Sequence, residues 1–250
     1  MELVSLSDIG QVRSVNEDRC MTQGNINGLS IAIVADGMGG HNAGDIASQL
    51  AIDLVFEQLQ SISVEMPIQT CMQLLHQAIS QANQRIYELS NSNLEYRGMG
   101  TTLVVAVVYE KQFIIAHIGD SRAYLFQESR ITQLTVDHSL VSELIKSGQI
   151  SPDEAEHHPR KHILTRALGT EIQIEVDMHR FDWMPGDVIL LCTDGLSGLI
   201  DADQILHIVD SSQHLEEASH TLIHQALDAG GYDNITLALI AHHKSIRKGQ

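Results

Sequence analysis

Apolar positions recur along this chain with two periods, and the period changes from segment to segment. ELVSLSD (2–8) alternates residue by residue, as a half-buried strand does. LSIAIVAD (29–36) is apolar almost throughout, which fits a strand covered on both faces. Over 43–60 apolar residues fall at Ala43, Ile46, Ala47, Leu50, Ala51, Leu54, Val55 and Leu59, the spacing of a helix. A second long helix is expected over about 67–93, with Met72, Leu75, Ile79, Ala82, Ile86 and Leu89 on one stripe. TTLVVAVVYE, KQFIIAHIGD and SRAYLFQ read as a strand meander turning at Glu110-Lys111 and Gly119-Asp120. VILLCTDG returns to strand, helices are expected at about 201–210 and 214–228, and NITLALIAH closes as a strand.

Residues 138–170 break the pattern. They are polar and histidine-rich, hold Pro152 and Pro159, and read as an exposed insertion with short helical pieces. Strands and helices come in runs without strict alternation. That order predicts an α+β fold, antiparallel sheets with helices outside. The tail at 244–250 is polar, and the only internal repetition is the pair of strand-Asp-Gly endings at Asp36 and Asp194.

Composition narrows the class. At 43% hydrophobic and 19% charged, 250 residues can bury a large core as one domain or two small ones. No window reaches the ~18 apolar residues of a membrane span, and MELVSLSDIG does not read as a signal peptide. The expected location is the cytoplasm. Cys20, Cys71 and Cys192 are odd in number and widely spaced, which suits reduced thiols. Fifteen basic residues against 32 acidic ones give a formal charge of -17, a poor match to nucleic acid or an anionic membrane.

Some of those carboxylates share a kind of position. Asp36 and Asp194 end apolar runs, Asp120 follows FIIAHIG, and Asp233 precedes NITLALI, each with glycine nearby. Carboxylates gathered without partners repel one another and take up protons; a divalent cation removes that conflict. An all-oxygen set favours Mg²⁺ or Mn²⁺ over zinc. Asp-Gly is also a common turn dipeptide, and spacing alone leaves the turn and ligand readings about even. Other phosphate chemistries fail by inspection. Asn42 stands where a dinucleotide-binding turn needs its third glycine, and there is no GxxxxGK[ST] loop. The residues six beyond the cysteines are Ile26, Gln77 and Gly198, so no Cys-x5-Arg loop exists. Asp201-x-Asp203 lacks the following threonine of a DxDxT enzyme.

VRSVNED (12–18), VADGMGGH (34–41), GMGTT (98–102), HIGDSRAY (117–124), LTVDHS (134–139), CTDGL (192–196) and GYDNIT (231–236) occur in that order. Together they resemble the metal-dependent protein serine/threonine phosphatases of type 2C, in the compact bacterial form, over about residues 3–241. The resemblance implies a four-layer α-β-β-α sandwich, two antiparallel sheets flanked by helix pairs, with one catalytic domain over 1–243. It implies two Mg²⁺ or Mn²⁺ ions and a third, weaker one. Asp36 would bridge the pair, Asp194 and Asp233 would complete one ion, and the Gly37 carbonyl and Asp18, through water, the other. Asp120 would share the third with Asp194, Arg13 would grip the substrate phosphate, and the glycines would clear room for ions and phosphate. A water activated by the metals would attack phosphorus directly.

Met38 stands where the animal enzymes have histidine, and His41 is the local substitute, either as general acid or as a further phosphate contact. The 138–170 insertion would be the flap beside the cleft and would help select the substrate. Phosphorylated proteins are then the expected partners of a monomeric enzyme. A hydrolase of small phosphate esters and an inactive phosphoprotein-binding module are the alternatives.

Overall fold

A computed structural model describes residues 1–39 and 43–242. His41 and the tail at 244–250 lie outside the described residues. The strands form two antiparallel sheets. One runs in the order β1 (Glu2–Asp8), β11 (Ile235–Ala241), β10 (Val188–Cys192), β7 (Arg122–Gln127) and β8 (Arg130–Gln133). The other runs β2 (Asp18–Ile26), β3 (Leu29–Met38), β5 (Leu103–Val108), β6 (Gln112–Ile118) and β9 (Asp177–Asp182), with the two-residue β4 (Gly100–Thr101) against the end of β3.

Side chains alternate across each strand, which divides the interior into three apolar layers. In β3, Ala32 and Val34 point between the sheets and meet Val104, Leu125, Ile189 and Ile240. Ile31, Ile33 and Ala35 point outward, beneath α1 (Gly44–Leu59) and α2 (Ile68–Ser92). On the far side Leu190, Leu237 and Leu239 lie beneath α6 (Ala202–Ser211) and α7 (Leu215–Asp228). Each fully buried Val, Leu or Ile contributes about 1.5–3 kcal/mol. This explains why the central strands are apolar without alternation: both faces are covered. It is the four-layer sandwich expected.

The strand meander is not as expected. β5 and β6 form a hairpin, but β7 leaves them and pairs with β10 in the opposite sheet. Gly119–Ser121 is therefore a link between sheets. Periodicity shows that 122–127 is a strand and cannot show which sheet receives it. Two further expectations shift. β3 continues past Asp36 through Gly37 and Met38, because β4 pairs with both. Asp194 does not end β10; it opens the short helix α5 (Asp194–Ser197).

The segment at 138–170 holds α3 (Leu140–Lys146) and α4 (Pro152–Glu156), capped by Ser139 and Ser151. Its middle is mostly exposed, but its start and residues 167–169 near its end are buried. His138 and Ser139 are buried, and Leu168 enters the core beneath α1 and α2 with a two-way backbone bridge to Thr101.

Candidate active site

Five carboxylates from five separate stretches come together at one edge of the sandwich. Asp18 opens β2 directly opposite Asp36 in β3. Asp120 stands in the link between β6 and β7, Asp194 at the start of α5, and Asp233 just before β11. Asp120, Asp194 and Asp233 line a cavity of about 950 Å³ whose other wall includes Val141, Ile145 and Lys161 of the 138–170 segment.

Hydroxyl groups fix these positions. The Thr193 hydroxyl donates to Asp18 Oδ2 at 2.8 Å and accepts from the Thr236 N–H at 3.1 Å, joining the ends of both sheets. The Asp36 N–H donates to Thr102 Oγ1 (3.0 Å), and its carbonyl accepts from the Thr102 N–H (2.8 Å) and the Thr101 hydroxyl (2.9 Å). Thr102 Oγ1 lies 2.7 Å from Ser121 Oγ, beside Asp120. The Asn234 N–H caps Asp233 Oδ1 at 2.8 Å. The Asn234 side chain donates to Ile9 O and Val15 O and accepts from the Glu17 N–H, pinning the loop that carries Arg13. Arg13 Nη2 reaches Asp233 Oδ2 at 2.7 Å, with half of the Arg13 side chain exposed.

Two of the glycines near the cluster admit close backbone approach. A Cβ on Gly37 would collide with the Gly44 and Glu17 carbonyl oxygens, where the end of β3 passes the start of α1. One on Gly195 would strike the Asn234 carbonyl. These glycines let backbone meet backbone, and at Gly195 the added Cβ would also touch the Asp233 Cβ at 3.5 Å. The sequence also gave no role to Thr101, Thr102, Thr193 or Asn234, although all four lie inside GMGTT, CTDGL and GYDNIT. Hydroxyl and amide partners are set by geometry, and spacing carries no sign of them.

Burial pushes Asp18 and Asp120 up to about 7, and Asp194, with Asp233 or Asp137, pushes the same way. Burial also holds Asp36 well above the usual carboxylate range, reinforced by Asp18, Asp194, Asp120 and Asp233. Asp194 is raised too, by burial and then by Asp233. Among the described residues Arg13 is the one ion-pair partner of any of the five. So much clustered negative charge calls for cations, and the all-carboxylate donor set fits hard divalent ions such as Mg²⁺ or Mn²⁺.

Comparison with known proteins agrees. Residues 10–229 match the family described as Protein phosphatase 2C. The chain is 41% identical over 234 residues to a serine/threonine phosphatase stp of Listeria monocytogenes, covering 94% of this chain and 93% of that one. A Streptococcus agalactiae serine/threonine phosphatase structure superposes with a TM-score of 0.91 at 35% identity, over 96% of this chain and 98% of that one. The catalytic domain of the serine threonine protein phosphatase PstP, solved with two manganese ions, gives a TM-score of 0.82 at 33% identity, covering 95% and 96%.

Proposed function

This chain belongs to the protein phosphatase 2C family and is a serine/threonine phosphatase, and we propose that its five clustered carboxylates form the metal centre that carries the reaction. Asp36, Asp194, Asp233, the Gly37 carbonyl and Asp18 would hold two cations, with Asp36 common to both, and Asp120 with Asp194 would hold a third, weaker one. The observation that supports this most is the convergence of Asp18, Asp36, Asp120 and Asp194, each with raised proton affinity, beside Asp233. When bound, a pair of divalent cations supplies Lewis acidity and makes water a nucleophile near neutral pH.

The chain's own residues bind and orient. Arg13 uses one Nη on Asp233 and keeps further N–H donors for phosphate oxygens. That placement ties the phosphate grip to a metal ligand. Asn234 holds the Arg13 loop in register with Asp233. His41 gives a proton to the departing serine or threonine oxygen. The 138–170 segment, across the cavity from the carboxylates, contacts the polypeptide around the phosphoresidue. The substrates are phosphorylated proteins. The enzyme is a cytoplasmic monomer with a single catalytic domain over 1–243; among the described residues no helix is long and apolar enough to cross a membrane.

Hydrolysis of a phosphothreonine peptide tests the reading. Activity should require Mn²⁺ or Mg²⁺, vanish with chelator and fall at least 10³-fold or so in Asp36→Ala. Turnover that survives chelator or that substitution would overturn it.

A further inference from the structure

Beside the cluster, and used by none of the steps above, lies a group of His117, His138 and Asp177 whose ligand atoms fall within 4.8 Å of one another. We propose that His138 is a positioning residue: it holds the Gly119–Asp120 turn in place and connects it, through Asp177, to the end of the 138–170 segment. The proposal rests on Asp120 belonging to the weaker cation site.

His138 holds both peptide groups of Gly119. Its N–H donates to the Gly119 carbonyl at 2.9 Å, and its Nδ1 accepts from the Gly119 N–H at 3.2 Å. From the other side Gly119 presses on Thr102: a Cβ would lie 2.6 Å from the Thr102 side chain, and φ is +103°. Thr102 in turn holds the Asp36 peptide. The turn that aims Asp120 is thus clamped between the residue that fixes Asp36 and His138.

The opposite edge of the ring faces the flap. Because Nδ1 accepts, the ring proton belongs on Nε2, which sits 3.4 Å from Asp177 Oδ2. Nε2 is buried, on a side chain 2% exposed, and its contact with Asp177 falls short of a hydrogen bond. Asp177 Oδ1 takes Arg166 Nη1 at 2.9 Å, and the Thr165 N–H donates to the His138 carbonyl at 2.9 Å. His117 stacks on the ring, centroids 4.6 Å apart, and pairs its own Nε2 with Val136 O at 3.0 Å. Arg166 with Asp177 on the flap side, and Gly119 with Asp120 on the carboxylate side, thus meet opposite edges of the His138 ring.

The same three residues resemble a metal site, and the hydrogen bonds argue against one. A ligating histidine gives a lone pair to the metal and donates its other N–H outward. At His138 the nitrogen away from Asp177 already accepts a proton donor, so a metal on Nε2 would leave the ring with no proton. Burial, with His117 and Arg166, pushes His138 down to about 4, which keeps the ring neutral.

Calorimetric titration of Mn²⁺ into the full chain tests the proposal. Asp120→Asn should abolish the weak binding step; if that step survives, the third-site reading itself fails. With Asp120→Asn behaving as expected, His138→Phe, which keeps the ring and its stacking, should weaken the step about tenfold. His138→Asn, whose Oδ1 can replace Nδ1, should retain it. Should His138→Phe not fold, His138→Gln takes its place, since its amide cannot reach Gly119. A weak step unchanged in the folded variant, or lost equally in His138→Asn, overturns the positioning role. Asp177→Asn should raise KM for phosphopeptide about threefold while leaving kcat on aryl phosphate within about twofold. A change in both or in neither overturns the link to the flap. One equivalent of zinc kept through dialysis by the wild type and lost in Asp177→Asn would make the trio a metal site and overturn the proposal.

Discussion

Asp18 is only 2% exposed, and its charge is answered by a hydroxyl from the other sheet. Asp18 and Asp120 stand at about 7, far above an unfolded carboxylate near 3.9. With the folded value the higher one, each contributes stability that is complete below the unfolded value and lost as pH climbs through about 7. A metal that needs the ionised form acts in the opposite direction. The rise in melting temperature on adding Mn²⁺ to chelator-treated protein should therefore grow from about pH 5 to about pH 8; a constant increment would contradict the raised values. His41→Ala should slow phosphopeptide hydrolysis roughly 10²-fold and aryl phosphate, with its better leaving group, far less. Equal losses would remove His41 from the acid role. At this scale the sequence shows the carboxylates and Arg13 through their motifs. It does not show the threonines, Asn234 or His138, because a hydrogen bond between residues 19 to 225 positions apart leaves no periodic trace.

Among the elements, those covered on both faces, alternating, or striped at helical spacing were legible: β1, β3, β5, β6, β7, β10, β11, α1, α2, α6 and α7. β2, β8 and β9 were not. They lie at sheet edges, where DRCMTQGNI, RITQ and DMHRFD need only a weak apolar signal. The connections matter as much as the elements. Gly195 touches the Asn234 carbonyl where α5 meets the start of β11, so Asp194 and Asp233 are set by one backbone contact. Gly195→Ala should cost about 1–3 kcal/mol in urea denaturation, as overpacking does, and lower Mn²⁺ affinity with it. Full stability and affinity in that variant would mean the contact relaxes freely.

Across the whole molecule, carboxylates from residue 18 to residue 233 meet because the ends of two sheets share one edge of the sandwich. The layer between the sheets holds those ends in register: Val34 of β3 faces the same cluster as Ile189 of β10 and Ile240 of β11. On the proposed reading, the chain's charge of -17 would not repel an anionic substrate, since exposed carboxylates beyond about 10 Å are screened while cations and Arg13 would act at contact. Most directly, the central idea can be tested by anomalous scattering from a crystal soaked in manganese. Two peaks roughly 3.5–4 Å apart, both within coordinating distance of Asp36, are predicted. A map with peaks remote from Asp36, or with none at this edge of the sandwich, would contradict the account.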